Sequence, residues 1–83
     1  MNKTELRAAL IAELRRIAPE VEEGELKADR PLREQVDLDS MDWLNFLVAL
    51  HERLKVDIPE ADYARLGTLD QTVDYLARKL GAR

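Results

Sequence analysis

The stretch from residue 39 to residue 54, DSMDWLNFLVALHERL, decides the fold. Apolar residues recur through it at the three- and four-residue spacing of an α-helix. They cover a broader arc than a single amphipathic stripe, so we expect a central helix, at about 40–54, that contacts several neighbours. The members of this arc are Trp43, Leu44, Phe46, Leu47, Leu50 and Leu54.

A first helix is predicted at about 3–18. Asn2 followed by Glu5 matches a capping box, leucines then recur at helical spacing, and Pro19 ends the pattern. A long loop follows at 19–38. It shows no sustained period, but four apolar residues are spaced to pin it to a core: Leu26, Leu32, Val36 and Leu38. Loops of this length in small domains are often functional.

Two further helices complete the pattern, a short one at about 61–66 and a last one at about 69–80. Thr68 and Gln71 form a second capping box, and Gly81 follows the last periodic residue. The 83 residues are therefore expected to form one domain, 1–83, of the all-α class. The predicted architecture is a small four-helix bundle with a long first loop and a short third helix.

Composition argues against an enzyme. The chain has no cysteine and only one histidine, so thiolate nucleophiles, Cys-ligated zinc and His clusters are excluded, and no metal site is expected. A core of this size leaves little room for a deep catalytic cavity. His51 lies eleven residues after Ser40, about 16 Å along one helix, too far to act as its base. We expect His51 to be a partly buried, hydrogen-bonded residue at the edge of the helix.

The net charge of −4 is concentrated in the middle of the chain. Residues 37–62 carry seven acids against two bases. Acidic surfaces repel nucleic acid and anionic lipid, so we expect neither as a partner. A protein with a basic patch is the favoured partner. A cluster of charges is, however, often only a solvated surface. The longest apolar runs are too short to cross a membrane. We expect a cytoplasmic, monomeric and, because the first helix starts almost at Met1, free-standing protein.

Ser40 stands at the start of the central helix, flanked by Asp39 and Asp42. Unpaired N–H groups and the helix dipole favour a phosphate at this end, whereas the two carboxylates oppose one. An Asp-Ser pair before a helix is, however, most often only an N-cap. Met41 and Val48 lie at the border of the apolar arc; the helical wheel leaves open whether they contact a partner or form the edge of the core.

The arrangement resembles the acyl carrier protein family over nearly the full length of the chain. The similarity rests on Leu38-Asp39-Ser40-Met41-Asp42 at the start of the central helix, on Val56-Asp57-Ile58-Pro59-Glu60 before the short helix, and on the last helix from Thr68 to Leu76, all in the family's order. The resemblance implies that Ser40 carries 4′-phosphopantetheine derived from coenzyme A, whose thiol holds acyl or related groups as thioesters.

The resemblance also implies the partners, which are a phosphopantetheinyl transferase and the acyl-loading and acyl-accepting enzymes of fatty acid or secondary metabolite biosynthesis, docking through basic patches. By the same resemblance, the residues that contact them are Asp39, Met41, Asp42, Val48, Glu52, Ile58, Glu60 and Leu66. The resemblance further implies that the protein delivers acyl groups and that its partners carry out the catalysis.

The sequence departs from the family pattern at several positions. Asp37 stands where family members commonly have glycine. Trp43 and Asn45 stand at positions that in the family are often acidic, or neutral and small. The acidic surface is therefore thinner than usual, which favours a specialised carrier. Trp43 and Tyr63 are expected to crowd the interior and to favour short or unsequestered cargo, although Trp43 also fits an ordinary core aromatic.

Two other functions remain open. One is a carrier-like interaction module whose serine is never modified. The other is a small enzyme using Asp39, Asp42 or His51, for which the sequence offers no catalytic constellation.

Overall fold

The protein is a bundle of helices, as its computed structural model describes for residues 2–81. No strand occurs in this part of the chain, and the predicted all-α class is confirmed. The α-helices, in chain order, are α1 (Lys3–Ile17), α2 (Leu32–Gln35), α3 (Ser40–Leu54) and α4 (Leu69–Leu80). Two 3₁₀ helices accompany them, at Glu23–Glu25 and Glu60–Leu66.

Both predicted capping boxes form. Asn2 Oδ1 accepts from the Glu5 N–H at 2.8 Å, and the Asn2 N–H donates to Glu5 Oε1 at 3.2 Å. Thr68 and Gln71 make the same reciprocal pair at the start of α4. Each box satisfies backbone donors that the first helical turn leaves without partners, so both helix starts follow from short sequence signals.

The core lies where α1 packs against α3 and α4, and where the Glu60–Leu66 helix packs against α4. Its largest fully buried side chains come from every one of these elements and from the first loop: Leu6, Leu10, Leu14, Leu32, Phe46, Leu47, Leu50, Leu66, Leu69 and Leu76. Burial of these apolar groups is the main force that holds the bundle together. None of the helices in residues 2–81 is long and apolar enough to cross a membrane.

Glu13 is a buried acid between α1 and α3. Only 4% of the residue is exposed, and its carboxylate pairs with Arg53 at 3.1 Å and with Arg16 at 3.3 Å. The Arg53 contact joins the two helices, so this ion pair fixes their relative placement as well as compensating the burial of the charge.

The first loop is more ordered than its sequence predicts. It contains the Glu23–Glu25 turn and α2, both too short to show a helical period. Gln35 organises the loop: its Oε1 accepts from the Lys27 N–H at 2.6 Å, and its Nε2 donates to the carbonyls of Lys27 at 2.8 Å and Arg30 at 3.0 Å. The predicted pinning residues pack on the core, with Leu32, Val36 and Leu38 buried and Leu26 partly buried.

Backbone hydrogen bonds also tie this loop to the start of α4. The Leu32 N–H donates to the Gly67 carbonyl at 2.8 Å, and the Asp70 N–H donates to the Ala28 carbonyl at 3.0 Å. An isolated β-bridge joins Pro31 to Thr68 between them. The loop therefore shares a backbone network with α4, which limits its independent movement.

Tyr75 links the Glu60–Leu66 helix to α4. Its hydroxyl donates to Asp62 Oδ2 at 2.6 Å, and the residue is 9% exposed. Burial, followed by the hydrogen bond and the negative charge of Asp62, raises the pKa of Tyr75 to about 12. The neutral phenol is thus the form that the folded state stabilises.

Helices α3 and α4 both end in a residue of left-handed conformation. At the end of α4 this residue is Gly81, with φ of 66°, which matches the sequence signal. At the end of α3 it is Lys55, with φ of 54°. A lysine side chain is strained in this region, so α3 ends in a turn that its sequence does not signal.

Candidate modification site and docking surface

The start of α3 is capped by Asp39 and not by Ser40. The Asp39 carboxylate accepts from the Asp42 N–H at 2.7 Å, and the Asp39 carbonyl accepts from the Trp43 N–H at 3.0 Å. Ser40 is the first residue inside the helix. The hydroxyl of Ser40 is therefore not needed to cap the helix, so the purely structural explanation of this serine as an N-cap does not apply.

Ser40 is exposed at this helix end, and it is the only serine in the chain. A group that attaches to serine thus has one possible position. The exposed hydroxyl fits a phosphodiester, because the free N–H groups and positive dipole of the first turn lie beside it. Asp39 is also exposed and Asp42 is partly exposed, so one accessible carboxylate precedes Ser40 in sequence and a second follows it.

Three apolar side chains of α3 are exposed in a row. The exposed fraction is 64% for Met41, 40% for Leu44 and 42% for Val48. Their spacing puts them on one side of the helix. We call this row, with the acids Asp39, Asp42 and Glu52, the α3 surface. Glu52 is exposed, as Asp39 is.

Leu44 was wrongly predicted to face the core. On a helical wheel it lies about 160° from Phe46 but only about 40° from Val48, so it belongs with the exposed row. The apolar arc assigned from the sequence is too broad, because a leucine at the edge of such an arc can face either the core or the solvent. The position of Leu44 next to Val48 on the helical wheel is the sequence signal that could have identified Leu44 as exposed.

The residues predicted to dock partners beyond α3 are only partly at the surface. Glu60 is exposed, and Ile58 is half-buried against the core. Leu66 has no exposed area. The prediction that Leu66 contacts partners is wrong, because it is the inward-facing last residue of the Glu60–Leu66 helix and packs in the core.

His51 forms the expected hydrogen bond, with its Nδ1 2.7 Å from the Val56 carbonyl. The residue is nevertheless exposed and not partly buried as predicted. The bond crosses the turn at the end of α3, so it supports the chain reversal there. Within residues 2–81, no group of three or more His, Asp or Glu side chains could hold a metal ion.

The two aromatic residues expected to crowd the interior, Trp43 and Tyr63, are both partly buried against the core. Trp43 is partly buried, and its ring centroid lies 5.5 Å from that of Phe46 in a tilted arrangement. Beside Val48 there is a hollow of about 190 Å³, with Tyr63 in its wall. Its lining consists of Leu47, Val48, His51, Asp57, Ile58 and Tyr63. Ligand pockets for drug-sized molecules are usually about 300–1,000 Å³, so this hollow is small.

Comparison with known families agrees with this geometry. Residues 5–76 match the family described as "Phosphopantetheine attachment site". The acyl carrier protein of Chlorobium phaeovibrioides is 27% identical over 59 residues, which is 71% of this chain and 76% of that protein. A mitochondrial acyl carrier protein of Saccharomyces cerevisiae is 30% identical over 60 residues, 72% of this chain and 48% of the yeast protein.

The fold also matches a solved structure. A solution structure from Anaplasma phagocytophilum, described as that of an acyl carrier protein, superimposes with a TM-score of 0.83 at 24% identity. The match covers 95% of this chain and 92% of the other. The predicted family and cofactor are confirmed: the chain belongs to the acyl carrier protein family, whose members bear acyl groups on covalently attached 4′-phosphopantetheine.

Proposed function

We propose that Ser40 is the residue to which 4′-phosphopantetheine is attached. The proposal rests chiefly on Ser40 being the only serine of the chain and lying exposed at the first position of α3, with its capping role taken by Asp39. In the reaction, Ser40 Oγ loses its proton and attacks the pyrophosphate of coenzyme A. The new phosphodiester forms as adenosine 3′,5′-bisphosphate leaves.

The function that follows is delivery of acyl groups between enzymes. The attached group supplies a terminal thiol, which this cysteine-free chain lacks, to hold cargo as a thioester. A tether at an exposed helix end makes each encounter with a docked enzyme effectively intramolecular, so weak and brief docking suffices. The protein provides position and recognition, and its partners provide the catalysis.

The α3 surface is the docking site in this proposal, together with Ile58 and Glu60. Its apolar row supplies contact area near Ser40, and its acids attract enzymes that carry Lys or Arg around their active-site entrance. Exposed charges of this kind mainly accelerate association and lose effect as salt rises. The transferase and the acyl-handling enzymes are therefore expected to share these contacts.

The cargo in this proposal is short or remains outside the bundle. The hollow beside Val48 is small, and Tyr63 forms part of its wall. Loading the protein with acyl chains of increasing length while following Trp43 fluorescence tests this. A large blue shift or quench, with matching thermal stabilisation, would indicate a sequestered chain and contradict the proposal.

The thin acidic surface supports a specialised carrier with few partners. Acids flank Ser40, but Trp43 and Asn45 leave the middle of α3 without further carboxylates. The cytoplasmic location, the monomeric state and the lack of membrane and nucleic-acid partners stay predictions from the sequence.

The attachment site is tested by intact mass. Purified apo protein is incubated with coenzyme A and a broad-specificity phosphopantetheinyl transferase. We expect the gain of one phosphopantetheinyl group in the wild type and none in Ser40→Ala. The matched control is Thr72→Ser, which introduces a second serine at a fully buried position and should still gain only one group.

No gain with several transferases would contradict the proposal. It would favour the alternative, an unmodified interaction module that uses the exposed row of Met41, Leu44 and Val48 only to bind proteins. A gain that survives Ser40→Ala would place the attachment at a different residue.

A further inference from the structure

A groove of about 550 Å³ lies between the Glu60–Leu66 helix and α4, and we call it the α4 groove. It shares no residue with the α3 surface. It is lined by Asp62, Ala64, Arg65, Gln71, Asp74, Tyr75, Arg78 and Lys79. Its size is within the range of small-ligand sites, but it is open along one side, which suits a chain segment better than an enclosed molecule.

The two acids of the α4 groove already have partners. Asp62 accepts the hydrogen bond of the Tyr75 hydroxyl at 2.6 Å, and Asp74 pairs with Lys3 at 2.9 Å. Both keep their negative charge, so the lining of three bases and two acids has an excess of one positive charge.

The three bases are less engaged. The Nζ atom of Lys79 lies over the Tyr75 ring, 5.5 Å from its centroid. Arg65 and Arg78 are exposed and form no ion pair with any residue in 2–81. As far as residues 2–81 are concerned, the α4 groove thus presents two unpaired guanidinium groups and an ammonium group around the ring of a tyrosine.

This positive groove is unusual in a protein of net charge −4. Residues 63–83 carry four bases against two acids, whereas residues 37–62 carry seven acids against two bases. The segregation gives the molecule two surfaces of opposite sign and a distinct electrostatic preference at each.

We propose that the α4 groove binds an acidic segment of a partner protein. Planar guanidinium groups bind carboxylates in a two-point geometry, and both Arg65 and Arg78 have this capacity free. The Tyr75 ring and Ala64 offer apolar contact for the stems of glutamate side chains. The site gives the carrier a second contact that leaves Ser40 and the α3 surface accessible to enzymes.

The probe is an acetylated, fluorescein-labelled peptide of ten glutamates, added to ¹⁵N-labelled protein at low ionic strength. We expect backbone amide shifts concentrated in residues 62–79 and an anisotropy change that fades as salt is added. Arg65→Gln/Arg78→Gln should weaken binding by at least about fivefold, which corresponds to losing two exposed charge contacts.

The matched control is Arg15→Gln/Arg33→Gln, which removes two exposed charges outside the α4 groove. It should bind nearly as well as the wild type. Equal weakening in both double variants, or shifts spread over the whole surface, would show only general charge attraction and overturn the proposal. Tighter binding of an oligothymidine of ten nucleotides through the same arginines would also overturn it, in favour of nucleic acid.

Both double variants should still accept phosphopantetheine at the wild-type rate, because neither changes the α3 surface. If Arg65→Gln/Arg78→Gln disturbed the fold, as judged from its amide spectrum, the single variant Lys79→Gln replaces it. Shifts in the wild type that avoid residues 62–79 overturn the proposal without any variant.

Discussion

Asp39 caps the helix that begins at Ser40 by accepting the Asp42 N–H at 2.7 Å, so one carboxylate both starts α3 and stands beside the proposed modification site. These two roles respond differently to substitution. Asparagine caps a helix as well as aspartate does but has no charge, whereas alanine removes the cap and the charge together.

Asp39→Ala should therefore lose about 1 kcal/mol of stability, while Asp39→Asn should stay within about 0.5 kcal/mol of the wild type. Both variants should react more slowly with the transferase at low salt, because both lack the steering charge. Denaturant unfolding and kcat/KM measured over a salt series separate the two effects. Full transferase activity in Asp39→Asn would show that its charge is not used in recognition.

The role of Leu44 in docking is tested against a residue of similar exposure. Leu44 is 40% exposed on α3, and Leu80 is 37% exposed at the end of α4. Changing either to glutamine should cost less than about 1 kcal/mol of stability. Only Leu44→Gln should lower kcat/KM for the transferase, by about five- to tenfold, which corresponds to losing roughly 1 kcal/mol of apolar contact. Equal kinetics for the two variants would remove Leu44 from the α3 surface.

The left-handed residue at the end of α3 predicts a stabilising change. Lys55 has φ of 54°, a conformation that costs a non-glycine residue roughly 1–2 kcal/mol. Lys55→Gly should raise the free energy of unfolding by about 0.5–1 kcal/mol, since the greater freedom of glycine in the unfolded chain offsets part of the relief.

Gly81→Ala is the reciprocal test. An added Cβ there meets no atom within 4 Å, so its expected loss of about 1 kcal/mol comes from φ of 66° alone. Urea unfolding of both variants checks the pair, and a loss of stability in Lys55→Gly would show that the lysine side chain contributes more than its backbone costs.

Tyr75 predicts how stability depends on alkaline pH. Its pKa is about 12 in the folded protein and 10.0 as its ordinary value. Between these values the folded state holds a proton that the unfolded state has lost, so stability falls as pH rises through this interval. Below pH 10 the contribution is fully present.

In Tyr75→Phe this loss should be absent. The free energy of unfolding of the variant should therefore rise relative to that of the wild type between pH 10 and pH 12. Denaturant unfolding across that range measures it, and the difference in tyrosinate absorbance between wild type and Tyr75→Phe follows the Tyr75 titration, because Tyr63 contributes to both. A Tyr75 that ionises near pH 10 in the folded wild type would contradict the contact with Asp62.

The sequence predicted best what local signals determine. Capping boxes at Asn2 and Thr68 are set by side chains three residues apart, so they locate two helix starts without any tertiary information. The position of Ser40 at the start of α3 followed in the same way.

What the sequence could not supply depends on distant or unusual contacts. Gln35 joins residues 27 and 30 through three hydrogen bonds in an irregular segment, and no spacing rule marks such a residue. The left-handed turn at Lys55 lacks the glycine that normally marks it. The exposure of Leu44 and the burial of Leu66 depend on which neighbours pack against each helix. The residue type, leucine in both cases, does not indicate this.

The hydrogen bonds from Leu32 to Gly67 and from Asp70 to Ala28 close a chain segment that includes the whole of α3. Such non-local pairs bear the entropy of closing a long loop, so we expect them to form after α3 and the Glu60–Leu66 helix. The Leu32 and Asp70 amides therefore report whether the loop is held against the start of α4. In a hydrogen-exchange experiment they are expected to open before the amides at the centre of α1.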